Sequence, residues 1–259
     1  MNELSNSIIP LKIGLLIGKG KSMGVPGKNI RPILGRPMCE YGFMAAKAAN
    51  LDHIFVSTDS EEIAAIGKKY NAIHINRPAS LAMPDSLTED ALKHAAEKIN
   101  HFLGGSPSIV CLLFANNPAI DLELINEGIQ SLESDLSLDS AFSVCRYDMF
   151  SPIRARKISE DGLIKPFQNL ENFGKSVSSI RDSSGGVYFC DLSVQVMRWR
   201  CFINMEEGMQ PFQWMGKKSK ALLNDFGFDV DSEWQFKVLE FWLKQRGFDY
   251  DKTPYKTFI

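Results

Sequence analysis

Lys12-Ile13-Gly14-Leu15-Leu16-Ile17, followed at once by Gly18-Lys19-Gly20-Lys21-Ser22-Met23-Gly24-Val25-Pro26-Gly27-Lys28-Asn29, decides the reading of the fold. The apolar run reads as a buried strand, and the connection after it holds four glycines and three lysines. Small residues let backbone amides come close to phosphate oxygens while lysines neutralise their charge, so the loop is expected to grip the phosphates of a nucleotide. A solvated Gly-Lys surface loop is the bland alternative; the position directly behind the first strand argues against it. Two sharper motifs fail. No register gives the Gly spacing and Lys-Ser/Thr of a Walker A loop, and Met23 stands where the third glycine of a dinucleotide fingerprint belongs.

Outward from this loop, apolar runs alternate with helix-period segments. Strands are predicted at Lys12 to Ile17, His53 to Ser57, Ile73 to Asn76, Ile109 to Phe114 and Ser140 to Cys145. Helices are predicted at Met38 to Ala49, Ser60 to Tyr70, Thr88 to Phe102 and Leu122 to Leu132. This rhythm predicts an α/β fold with a mostly parallel sheet flanked by helices. Ser60 with Glu61 and Glu62 is a helix start, which puts Thr58-Asp59 at a strand's carboxyl end, where such sheets bind ligands. From Arg146 to Ser184 the rhythm breaks into charged, Gly- and Pro-punctuated sequence with short extended pieces such as Leu163 to Phe167, and reads as an inserted arm. The pattern resumes at Val187 to Cys190. It closes with a helix from Ser232 to Gln245 in which Trp234, Val238 and Phe241 share one face. We read residues 1–259 as one domain carrying the arm at 146–184.

A formal charge of −2 leaves no electrostatic footprint for nucleic acid or an anionic membrane, so a small-molecule partner is expected. Five scattered cysteines without a C-x-x-C pair read as reduced core residues, and no stretch approaches a membrane span, so a cytoplasmic location is expected. The four histidines show no metal spacing, no nucleophile elbow exists, and Phe202, Phe212 and Trp214 read as packing. Asp229 and Asp231, two apart in an extended run from Phe226, are expected to project from one side and suit a magnesium ion; a cap on the last helix is the alternative.

The glycine loop resembles the N-terminal signature of the acylneuraminate cytidylyltransferases, the CMP-sialic acid synthetases, approximately A-R-G-G-S-K-G-x-P-G-K-N. Gly20, Ser22, Gly24, Pro26, Gly27, Lys28 and Asn29 match it. The resemblance continues through Val56-Ser57-Thr58-Asp59-Ser60-Glu61-Glu62-Ile63, Arg77-Pro78-Ala79-Ser80-Leu81-Ala82, Ser151-Pro152, Asp161-Gly162, Gly185-Gly186-Val187-Tyr188 and Asp229-Val230-Asp231. Departures are Lys19 for the usual Arg, Met23 for Lys, Ser184 for Asn, and Phe114-Ala115-Asn116-Asn117-Pro118 for Q-P-T-S-P.

The resemblance implies a Rossmann-like nucleotidyltransferase sheet whose arm at 146–184 makes a homodimer. It implies CMP transfer from CTP to the anomeric hydroxyl of a 2-keto-3-deoxy sugar acid of sialic, legionaminic or pseudaminic type, with release of pyrophosphate. On this resemblance Lys19, Lys28 and Asp231 serve catalysis. Gly20, Lys21, Ser22, Asn29, Arg77 and either Ser86 or Thr88 bind the nucleotide. Asn116, Arg181 and Tyr188 face the sugar acid, and Asp229 and Asp231 hold Mg2+ with Asp231 the principal ligand. Taken alone, Arg77 also fits an exposed strand cap, Arg181 a surface residue and Tyr188 strand packing. A glycosyltransferase of related fold and a non-catalytic nucleotide-binding relative are the alternatives.

Overall fold

The predicted alternation becomes a seven-stranded central sheet with helices on both faces, in a computed structural model that describes residues 8–147, 150–173, 177–180 and 185–255. Strand β1 (Ile8–Ile17) leads through the glycine loop to a small hairpin, β2 (Pro32–Ile33) and β3 (Arg36–Pro37), and then α1 (Glu40–Ala48). There follow β4 (His53–Thr58), α2 (Glu61–Lys68), β5 (Ile73–Asn76), α3 (Thr88–Leu103), β6 (Ser106–Phe114), α4 (Leu122–Ser134) and β7 (Ser140–Arg146). The arm carries β8 (Arg156–Ile158) and β9 (Ile164–Pro166). Then come β10 (Tyr188–Arg198), α5 (Arg200–Ile203), β11 (Ser219–Asn224) and α6 (Glu233–Gln245).

Strand order is β11-β7-β10-β6-β1-β4-β5, parallel throughout except for β10, which runs antiparallel to β6 and β7. β1 is apolar at nearly every position because both its faces are covered. Ile13, Leu15 and Ile17 enter one core while Leu16 enters the other, as the two-residue period of a strand requires. Phe202, Phe212 and Trp214 pack with the first of these cores, as expected. The reversed direction of β10 follows from the arm. The chain leaves at the carboxyl end of β7 and returns at that same end, with Tyr188 paired to Arg146, so no crossover helix is needed. The arm, the glycine loop and Asp59 thereby share one end of the sheet.

Two expectations change. β10 extends far beyond Cys190, interrupted by an irregularity between Cys190 and Gln195. Phe226 to Asp231 is irregular chain, not an extended strand. In α6 the buried residues are Phe236, Leu239, Trp242 and Leu243, whereas Trp234 and Phe241 are 64% and 66% exposed. The stripe of Trp234, Val238 and Phe241 thus points away from the core. The arm's short strands pair with each other, not with the main sheet. All five cysteines are free. Among the described residues no helix is long and apolar enough to cross a membrane.

Candidate active site

The glycine loop leaves the carboxyl end of β1 and is pinned to neighbouring strands. Gly18 donates to the Ser57 carbonyl (3.3 Å) and lies so close to Ala115 that no side chain fits there. The Gly20 amide donates to Asp59 Oδ1 (2.8 Å), a structural partner that sequence reasoning missed although Asp59 sits in the motif after β4. Gly20 therefore shapes the loop with its amide already engaged. Gly27, at φ 66°, turns the chain into a single 3-10 turn at Lys28–Ile30, a conformation that favours glycine.

This end of the sheet opens into a pocket of about 690 Å³ lined by Lys19, Lys21, Ser22, Lys28, Asn29, Arg77, Ser86, Thr88, Asn116, Asp229 and Asp231, among others. Its volume is that of a small-molecule site. At one side Arg77 is buried, not an exposed strand cap, and donates through Nε to Ser57 Oγ (3.2 Å) and through Nη2 to the Ser57 carbonyl (2.7 Å). Burial lowers its pKa, with the Asp59 charge opposing. Beside it in the lining, Asn29 Nδ2 donates to the Lys19 carbonyl (2.9 Å), while its buried Oδ1 has no partner among the described residues. Ser86 uses its hydroxyl on the Ser80 carbonyl (2.8 Å), and Thr88 opens α3; both line the pocket.

Lys19 Nζ donates to the Met83 carbonyl (3.1 Å). Lys28 Nζ donates to the Val230 carbonyl (2.6 Å) and to Asp231 Oδ1 (2.7 Å). Lys21 is exposed on the lining, and Met23 extends into solvent at the rim. Gly24 lies against the Asp231 backbone carbonyl, where a Cβ would stand at 2.9 Å. The glycine loop and the carboxylate segment are thus joined directly.

The helix-cap alternative for Asp231 is resolved by Gln235. Its Oε1 accepts from the amides of Asp231 (2.6 Å) and Ser232 (2.7 Å), and Ser232 is the N-cap of α6. The Asp231 carboxylate stays 71% exposed and is paired with Lys28. Asp229 is pushed up to about 7, first by burial and then by the Asp231 charge, against Asn117, Lys28 and Asn116. Two carboxylates lining one pocket offer hard oxygen ligands of the kind a divalent cation takes. No group of three or more His, Cys, Asp or Glu that could hold a metal stands among the described residues, so a cation here would complete its shell with water and phosphate oxygens.

One expected sugar-acid contact is not brought to the pocket. Tyr188 is exposed at the start of β10 and outside the lining, because its strand begins beyond the arm. Arg181 lies outside the described residues. Sequence reasoning also missed Asn117, which is buried and donates to Asp229 Oδ1 (3.2 Å); its position beside Asn116 in the departing segment was the available signal.

Comparison with known proteins gives the family. The sequence profile of the cytidylyltransferase family matches residues 13–155, more than half of the chain. The chain is 28% identical over 247 residues to the post-translational flagellin modification protein B of Campylobacter coli, covering 89% of this chain and 94% of the relative. It is 27% identical to the CMP-N,N'-diacetyllegionaminic acid synthase of Campylobacter jejuni subsp. jejuni serotype O:2, covering 87% and 92%. Its fold resembles that of a CMP:2-keto-3-deoxy-manno-octonic acid synthetase solved with CTP, at TM-score 0.62 and 15% identity, over 91% of this chain and 99% of that one. With a glycine-rich loop behind the first strand and the family profile matching over half of its length, the chain is an enzyme of the cytidylyltransferase family.

Proposed function

We propose that the chain transfers CMP from CTP to the anomeric hydroxyl of a 2-keto-3-deoxy sugar acid and releases pyrophosphate. The observation that carries this reading is the meeting of the phosphate loop with the carboxylate pair in one pocket, through Lys28 on Val230 and Asp231. Arg77 supplies donors and Asn29 Oδ1 an acceptor in the same pocket, the combination that the O2 and N4 edge of cytosine requires. Lys19, Lys21 and Lys28 neutralise the triphosphate, and Lys28 and Lys19 offset charge growing on the transferred and leaving phosphates. Holding the phosphate fixed lets the sugar hydroxyl attack in line, so most of the rate comes from positioning and electrostatics. Asp229 and Asp231 would hold magnesium, which supplies neutralisation of phosphate charge when bound.

The acceptor is a nine-carbon acid of sialic, legionaminic or pseudaminic type, a choice supported by the legionaminic acid synthase among the relatives. Asn116 in the lining faces it, and Arg181 pairs with its carboxylate. CTP as donor and five unpaired cysteines support a cytoplasmic location. The arm at 146–184 forms a homodimer. Its hairpin exposes every residue of β8 and β9 and turns Ile158, Leu163, Ile164 and Phe167 to solvent. Light scattering at micromolar concentration is expected to give twice the chain mass, and a monomer refutes the dimer.

The function is tested by pyrophosphate release with CTP, UTP, ATP and GTP against a panel of sugar acids, with the product identified by mass. CTP is expected to be selected over UTP by up to ~10⁴-fold, the discrimination available to a site built around buried hydrogen bonds. Activity with simple sugar 1-phosphates, or none with any 2-keto sugar acid, overturns the assignment.

A further inference from the structure

The segment that carries Asp229 and Asp231 has no regular secondary structure, so its shape is set by what grips it. At Gly227, the Tyr147 hydroxyl donates to the carbonyl (3.2 Å) and accepts from the amide (3.3 Å). At Val230 the amide donates to the Asn116 carbonyl (2.9 Å). Gln235 takes the amides of Asp231 and Ser232. Asn117 is buried, holds the pocket carboxylate Asp229, and has its amide fully employed. Nδ2 donates to the Asp191 carbonyl (2.8 Å) and to Asp229 Oδ1 (3.2 Å), and Oδ1 accepts from Ser193 Oγ (3.2 Å).

That arrangement depends on the irregularity in β10. Asp191, Leu192 and Ser193 bulge out of the ladder, with Leu192 at φ 60°. The Asp191 carboxylate stabilises the bulge. Oδ1 accepts from Ser143 Oγ (2.6 Å) and the Ser193 amide (2.8 Å), and Oδ2 from Cys145 Sγ (3.1 Å) and Asn224 Nδ2 (3.3 Å). Gly227 passes directly over it. A Cβ there would stand 2.1 Å from Ser193 Oγ and 2.9 Å from Asp191 Oδ1, so a larger residue would lift the carboxylate segment. Bulges beside a site commonly re-aim a side chain, and here the re-aimed groups are the Asp191 carbonyl and the Ser193 hydroxyl.

We propose that Asn117 is a positioning residue, oriented by the Asp191–Ser193 bulge, that fixes the Asp229 carboxylate for a divalent cation. The inference rests on the reading of Asp229 and Asp231 as the cation pair. Because the Asp191 carbonyl can only accept, the amide cannot flip, and Nδ2 is the atom presented to Asp229. A donor in this place holds the carboxylate in one rotamer, and loss of such a partner typically costs 10- to 100-fold in metal affinity or activity.

The test is titration of the whole chain with Mn2+, followed by paramagnetic resonance, alongside the magnesium dependence of pyrophosphate release. Asn117→Ala is expected to weaken Mn2+ binding by roughly 10- to 100-fold. It is expected to raise the magnesium midpoint in parallel, while kcat at saturating magnesium and metal-free CTP binding stay close to those of the parent. Ser193→Ala, which leaves Asn117 in place, shifts both midpoints the same way by a smaller factor. A purely structural role would instead lower the active fraction and leave the midpoints unmoved. An unchanged Mn2+ midpoint in folded Asn117→Ala overturns the proposal; if that variant does not fold, an unchanged midpoint in Ser193→Ala does so. Failure of the functional reading looks different: the parent chain would bind Mn2+ through this network yet release no pyrophosphate from CTP.

Discussion

Lys28→Ala separates the chemical from the structural part of the loop. The side chain is only 11% exposed and spans from the phosphate loop to the carboxylate segment. Its ion pair with Asp231 contributes at most ~1 kcal/mol, since that carboxylate is mostly in water and screened. The bond to the Val230 carbonyl matters more. Val230 is buried, and removing the charged donor costs about 1–3 kcal/mol. A total near 2 kcal/mol leaves the domain folded but lowers its melting temperature by roughly 4–8 °C, at the 2–4 °C per kcal/mol usual for chains of this size. The rate effect is separate and larger. Removing one preorganised stabiliser of developing charge costs about 100- to 1,000-fold in turnover. Differential scanning fluorimetry reads the first quantity and pyrophosphate release from CTP the second. Turnover within a few-fold of the parent in a folded variant would falsify the role given to Lys28, and an unchanged melting temperature would show that its bond to Val230 contributes nothing.

Gly24→Ala is expected to reduce activity without unfolding, because a Cβ at 2.9 Å from the Asp231 carbonyl pushes the phosphate loop off the carboxylate segment; normal kinetics would show that their spacing is unimportant. In α6, Leu239→Ala should cost about 2–5 kcal/mol as a core truncation, whereas Phe241→Ala should leave the denaturation midpoint nearly unmoved; equal losses would contradict the orientation of the helix. His94 has its pKa lowered by burial and by Lys98, so the unfolded chain binds the proton more readily. Stability contributed this way is present above about pH 6.5 and is lost as the pH falls through that value. His94→Gln should therefore flatten the decline between pH 7 and 5, and urea titrations across that range with the same slope as the parent would count against it.

The strands and helices around the glycine loop were legible because each carries a local signal. β1 is continuously apolar since both faces are covered, α2 opens on a serine whose hydroxyl accepts from Ile63, and α3 and α4 keep a clear helical period. The loop was legible as part of the site for the same reason: close backbone approach demands glycine, as at Gly18 against Ala115. Tertiary structure alone decided what lies between distant residues. Helix α6 has aromatics on opposite sides, so periodicity could not say that Phe236 and Trp242 go in while Trp234 and Phe241 stay out; packing of the helix against β2 and of Trp242 on Phe226 chose. Whether Asp231 capped the helix or faced the pocket depended on Gln235, and Lys28 reaches it across 203 positions of sequence. The clamp by Asn117 was invisible for a related reason. It needs a bulge in β10, and a bulge depends on which hydrogen bonds the buried Asp191 can find among Ser143, Cys145 and Asn224, residues that only the folded sheet brings together.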